Sequence, residues 1–129
     1  MDIVADASAF LAVVLNEAGR ERIIEQTAGH GLVAPEVLPY EVGNALVAVR
    51  RRKRLADAAV LRALESARQI PVRLVTVSVP GAVRIALAHG VYAYDAYYLQ
   101  CCIENRLPLL SLDEGMCALA RRLKLQVME

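Results

Sequence analysis

At 129 residues the chain is the size of one domain, and 57% hydrophobic residues suit a filled core and exclude intrinsic disorder. A net charge of +1 supplies no overall field for nucleic acid or membrane, so any such binding must come from a local patch. Cys101, Cys102 and Cys117 lack metal-type spacing and read as reduced core thiols; with no apolar run near the ~18 residues of a membrane span and no basic leader, a cytoplasmic protein without membrane association is expected.

The chain opens on DIVADASAF, Asp2 to Phe10. Ile3 to Ala5 reads as a short buried strand that ends on Asp6, and the small segment around Ser8 is competent to cap a helix over roughly Ser8 to Leu15. A second helix is expected over about Arg20 to Ala28, then a strand over Gly31 to Ala34. Pro35 reads as the first turn of a long helix that reaches about Arg52. Leu38, Val42, Ala45, Leu46 and Val49 form its apolar face, Glu41 falls at the edge of that face, and Asn44 lies one turn further on the same side. Asp57 reads as the N-cap of a helix to about Gln69, with Val60, Leu61, Leu64 and Ala67 inward. Val72 to Val77 is strand-like. Ser78 and Pro80 open a helix ending near Gly90, and Tyr94–Asp95–Ala96 starts another to about Asn105. Pro108 to Leu112 is an apolar strand; Ser111 and Glu114 have capping-box spacing, so a helix should begin around Leu112–Asp113. Lys124 to Met128 completes the pattern as an edge strand. Strands alternating with helices predict a single α/β domain over 1–129, with a mainly parallel sheet covered on both faces.

Four acids occupy special places in this pattern. Asp6 and Asp113 each follow a strand, Asp95 begins a helix, and Glu41 edges an apolar face. Parallel neighbouring strands would deliver Asp6 and Asp113 to one end of the sheet, where ligands bind in such folds, and a helix starting there would bring Asp95. Converged carboxylates repel unless a cation neutralises them. Mg²⁺ or Mn²⁺ suits such an oxygen site, and phosphoryl-transfer chemistry suits the ion. Each acid also has a purely structural reading. Asp6, Asp95 and Asp113 suit helix starts, and Glu41 could pair with an arginine, but capping does not explain Glu41 beside an apolar face.

DASAF at Asp6, EVGNAL from Glu41 to Leu46, YDAYYL from Tyr94 to Leu99 and LLSLDE from Leu109 to Glu114 resemble, in order, the four signatures of PIN domains. Within that family the chain is most similar to VapC-type toxins, the ribonuclease half of type II toxin–antitoxin pairs. The resemblance implies a three-layer α/β/α fold and a Mg²⁺- or Mn²⁺-dependent RNA endonuclease. Asp6, Glu41, Asp95 and Asp113 would form its catalytic site, with Asp6, Asp95 and Asp113 holding metal. Glu41 would orient the attacking water or act as its base. Ser8, Asn44 and Ser111 would give polar support; the family usually has Thr in place of Ser111. Glu114 competes with Asp113 as the acid that faces the metal, and Asp113 fits the motif. A cognate antitoxin and a homodimer are implied as partners besides RNA.

Arg50, Arg51, Arg52 and Arg54, with Lys53, make the one strong charge run. It reads either as cations complementing a helix dipole or as an RNA-binding patch. Tyr92, Tyr94, Tyr97 and Tyr98 crowd the Asp95 helix start, and core or dimer packing is the expectation ahead of base stacking. Two other classes compete with the nuclease. One is a receiver-like signalling domain, which usually pairs acids after its first strand, whereas Ala7 and Ser8 follow Asp6 here. The other is a catalytically inactive α/β binding module, which has no need of all four acids.

Overall fold

The computed structural model describes residues 1–53 and 55–129. In chain order the elements are β1 (Asp2–Ala5), α1 (Ala7–Val14), α2 (Arg20–Thr27), β2 (Gly31–Pro35), α3 (Leu38–Lys53), α4 (Asp57–Gln69), β3 (Arg73–Val75), α5 (Val79–His89), α6 (Ala93–Asn105), β4 (Leu109–Leu110) and α7 (Glu114–Arg122). The strands pair in the order β3-β2-β1-β4, and every pairing is parallel. Successive side chains of a strand point to opposite faces. Ile3, Val4 and Ala5 are consecutive and all buried, so both faces of the sheet are covered, which is the three-layer α/β/α arrangement. One cover is α6, which packs against β1, β2 and β4 through a run that includes Tyr98, Leu99, Cys101 and Cys102. The three cysteines are buried and unpaired, as expected.

This topology prepares a site. The chain steps from β1 outward to β2 and β3, then returns to the other side of β1 for β4. The reversal leaves a crevice between the carboxyl ends of β1 and β4, the place where parallel sheets bind ligands. Pairing of Ala5 with Leu110, and donation from the Asp6 amide to the Leu110 carbonyl, set the residues after both strands side by side there.

Several local expectations give way to tertiary context. Pro35 is the last residue of β2, paired with Val75, and not the first turn of α3; that helix begins at Leu38, where Pro39 takes the position that needs no amide partner. Leu61 is 63% exposed, and Ala63 joins Ala67 as the buried face of α4. Asp57 is the first residue of α4, not its cap, and pairs with Arg50. The strand before α7 shrinks to Leu109–Leu110, and the segment near Met128 contributes one parallel bridge, Leu109 to Val127. Ser78 caps α5 and Gly90 ends it in the left-handed region, as read from the sequence. At Gly81 an added Cβ would fall 2.7 Å from Gln100 Nε2, so a bare backbone here lets α5 approach α6 closely. Among the described residues no helix is long and apolar enough to cross a membrane.

Candidate active site

Asp6 stands at the carboxyl end of β1 and is only 4% exposed. Its Oδ1 accepts from the Ser8 hydroxyl at 2.6 Å and from the Ala9 amide at 3.2 Å, and its Oδ2 accepts from the Ser111 hydroxyl at 2.6 Å. Asp6 is therefore the cap of α1, as its structural reading allowed, and Ser8 is not. The Ser8 hydroxyl instead accepts from the Leu112 amide at 2.9 Å, and Ser111 accepts from the Asp113 amide at 3.0 Å. Ser111 does not open a capping box; Asp113 caps α7 by accepting from the Met116 amide at 2.9 Å. The two serines thus hold the segments after β1 and β4 together, with the Asp6 carboxylate between them. An ionised carboxylate offers about four lone-pair positions, so these three bonds leave Asp6 acceptor capacity.

Asp95 and Glu41 arrive from the first turns of α6 and α3. Burial raises the Asp95 carboxyl above its ordinary pKa, and the charges of Asp113 and Asp6 push it further. Burial likewise raises Asp6, against the opposing pull of its Ser111, Ser8 and Ala9 hydrogen bonds, and Asp113 adds to the rise. Glu41 is raised by burial first, with Asp95 and Asp6 contributing. Asp113 thus acts on Asp6 and Asp95, and these two act on Glu41, which links charges from four separate segments. Glu114 lines a cavity with Arg22, Ser111 and Arg121, and its charge is not among those that act on Asp6, Glu41 or Asp95.

Glu41 has no arginine partner among the described residues. Its neighbour is Tyr98, which is 1% exposed. The tyrosine hydroxyl lies near enough to favour the charged form of Glu41, and the carboxylate in turn raises the phenol's pKa, behind burial as the first cause. Neither the hydroxyl nor Glu41 Oε1 has a well-formed hydrogen bond, so two neighbouring buried polar atoms are left unsatisfied. Sequence reasoning placed Tyr98 in core or dimer packing. Its spacing of three residues from Asp95, which puts both on one helical face, was the available signal.

Of the remaining expected residues, Asn44 lies one turn along α3 from Glu41 and the arginines lie further out. Asn44 is exposed and makes no side-chain hydrogen bond among the described residues. Arg50 pairs with exposed Asp57, and Arg51 and Arg52 are exposed. These arginines lie about 14 Å or more along α3 from Glu41, at ~1.5 Å of rise per residue, and do not join the acids. Arg54 lies outside the described residues.

The model of the PIN domain family matches residues 3–122. The chain belongs to the PIN domain family. No curated protein matches its sequence. Among solved structures, PAE2754 from Pyrobaculum aerophilum is similar at 24% identity and a TM-score of 0.71, over 92% of this chain and 86% of that one. The sarcin-ricin loop cleaving toxin VapC20 of Mycobacterium tuberculosis is similar at 15% identity and a TM-score of 0.66, over 91% of this chain and 94% of that one. Likeness at these identities establishes the PIN fold. PIN domains are in general nucleases that use divalent metal ions, and the assignment replaces the receiver-like alternative.

The residues present fit such an ion. The donor set is all oxygen, the type that hard divalent cations prefer, and the mutual repulsion of the acids is relieved by a positive charge among them. Among the described residues no three His, Cys, Asp or Glu side chains stand close enough to form a ready ligand cluster. Mg²⁺ does not require one, since it keeps several waters and is bound through one or two carboxylates plus substrate phosphate.

Proposed function

We propose that this PIN domain is a Mg²⁺- or Mn²⁺-dependent endoribonuclease and the VapC-type toxin of a type II toxin–antitoxin pair. The observation that carries the proposal is the meeting of Asp6, Glu41, Asp95 and Asp113, from four separate segments, at the crevice between β1 and β4. Helix-start roles account for part of what Asp6, Asp95 and Asp113 do, but not for a half-buried Glu41 that feels the charges of Asp95 and Asp6.

In this reading Asp6, Asp95 and Asp113 hold the ion directly or through water. The ion would supply positive charge to the scissile phosphate and a lowered pKa to the attacking water. Glu41 accepts the proton of that water or orients it. A carboxylate raised by burial suits that task, because a base works best with a pKa near the working pH. Tyr98 positions Glu41, and Ser8 and Ser111 position Asp6. A cognate antitoxin would restrain the enzyme, and the apolar, exposed Val83 and Leu87 of α5 would support a homodimer. Unpaired buried thiols suit a reducing cytoplasm.

The test is cleavage of a panel of single-stranded and structured RNAs by purified protein with Mg²⁺ or Mn²⁺. EDTA should stop it, and Asp6→Asn should abolish it while the circular dichroism spectrum stays native. Full cleavage by the folded Asp6→Asn protein would sink the assignment.

A further inference from the structure

A cavity of about 210 Å³ lies at the carboxyl ends of β2 and β3. Buried Pro35 and half-buried Val75 line it, together with Tyr97 and the exposed Glu36, Thr76 and Val79. Val79, the first residue of α5, is 54% exposed. The Tyr97 ring is braced edge-to-face by Tyr94, with centroids 6.1 Å apart and planes at 70°. Tyr94 is itself largely exposed, and half-buried Tyr97 is the aromatic residue that lines the recess.

The sheet register ties this recess to the acids. β1 and β2 pair with Val4 opposite Val33. Continued by two residues, that register sets Asp6 opposite Pro35, one strand spacing or about 5 Å away. Val75 pairs with Pro35 and lies one spacing further. Asp95 sits between Tyr94 and Tyr97 on the same turn of α6. The recess and the acidic crevice are therefore neighbouring places on one rim of the sheet.

We propose that this recess captures one unpaired base of the RNA, stacked on Tyr97, while an adjoining backbone phosphate lies at the acids. The inference rests on the ribonuclease reading above. A planar base suits an apolar slot with an aromatic wall, and stacking of this kind tolerates any base. Glu36 makes the slot hostile to phosphate, so the backbone is kept outside and only a neutral base edge is admitted. Its carboxylate accepts from an N–H on the base edge, which adenine, cytosine, guanine and uracil all carry. A base held in a duplex cannot enter, so the recess selects single strands and loops, where unstacked bases can be splayed out.

The test is an abasic scan. A short oligoribonucleotide that the protein cleaves is synthesised with one abasic residue at each position in turn. KM and kcat are measured with Mn²⁺, and affinity is measured by fluorescence anisotropy without metal. One position should raise KM and Kd by about 5- to 150-fold, the size of a single base–aromatic stack, with kcat little changed. Tyr97→Ala should suffer the same loss on intact RNA and become indifferent to the abasic residue, whereas Tyr97→Phe should behave as wild type. Val79→Asp, at an exposed position where folding is not at stake, should reproduce the loss. A flat scan, or wild-type affinity in both Tyr97→Ala and Val79→Asp, would overturn the proposal. If no RNA is cleaved, the same scan is run by anisotropy alone: position-dependent binding that Tyr97→Ala abolishes would count against the nuclease and for base capture, and absence of any RNA binding would overturn both.

Discussion

The Ser111 hydroxyl donates to Asp6 Oδ2 over 2.6 Å, joining residues that stand 105 positions apart. Ser8 grips the other oxygen of the same carboxylate. Each serine also accepts a backbone amide from the segment after β4, so neither hydroxyl is free to turn away. Asp6 is thus presented in one orientation, with its charge stabilised by hydroxyl donors and opposed by burial.

Ser111→Ala should weaken divalent-ion affinity or activity by about 10- to 100-fold, the usual effect of removing a partner of a metal ligand. Ser111→Thr, which keeps the hydroxyl, should retain most of both. Mn²⁺ titration followed by calorimetry, with cleavage rates alongside, distinguishes the two; equal loss in both variants would mean that packing at this buried site, and not the hydrogen bond, is what matters.

Tyr98→Phe should leave folding stability close to wild type, because it removes a buried hydroxyl that is only partly satisfied. Its effect should fall on Glu41. The hydroxyl favours the charged carboxylate, so its loss raises the Glu41 pKa further, and the acid limb of the rate–pH profile should move to higher pH. A profile of unchanged shape, measured on kcat/KM, would remove Tyr98 from the site.

Asp6, Glu41 and Asp95 have folded pKa values raised above 3.8 for the aspartates and 4.5 for the glutamate, first by burial. Between those values and the raised ones, the folded protein binds more protons than the unfolded chain. Their contribution to stability is therefore full below the unfolded values and lost as pH rises through the raised ones. A divalent ion needs the acids ionised, so its effect runs the other way. In thermal denaturation, Mn²⁺ should raise Tm more at about pH 8 than at about pH 5, and Asp6→Asn should shrink that difference. An equal rise at both pH values would argue that the ion binds elsewhere.

Arg51→Ala and Arg52→Ala should weaken RNA binding almost equally across sequences and leave kcat unchanged, since both side chains lie far along α3 from Glu41. Each should reduce the slope of log K against log salt by about 1 if it neutralises a phosphate. Unchanged salt dependence would leave these arginines as a solvated helix end.

Much of the architecture was legible in the residues. Helical periodicity marked α3 and α4 because apolar faces recur wherever a helix meets a core. The unbroken run Ile3–Ala5 announced a strand covered on both sides. Local chemistry misled where one residue had two possible partners. Ser111 has capping-box spacing to Glu114, yet Asp113 caps α7 by accepting from the Met116 amide, while the Ser111 hydroxyl donates to Asp6 and accepts from the Asp113 amide. Pro35 suits a helix start, yet its place opposite Val75 makes it the end of β2. Leu61 fits an inward stripe, yet α4 turns its small Ala63 and Ala67 to the core.

The sequence by itself determined the α/β class and the order of the elements, and it singled out four acids as candidates, because periodicity, capping chemistry and residue type are local properties. Only the tertiary structure decided that Tyr98 lies against Glu41, that Asp6 and not Ser8 caps α1, that Arg50, Arg51 and Arg52 stand far along α3 from Glu41, and that Tyr97 lines an apolar recess at the carboxyl ends of β2 and β3. Those outcomes depend on strand order, on register and on which helical face meets which neighbour. The contacts of Tyr98, Ser8 and Tyr97 are settled by packing between segments far apart in the chain, and no local pattern encodes them.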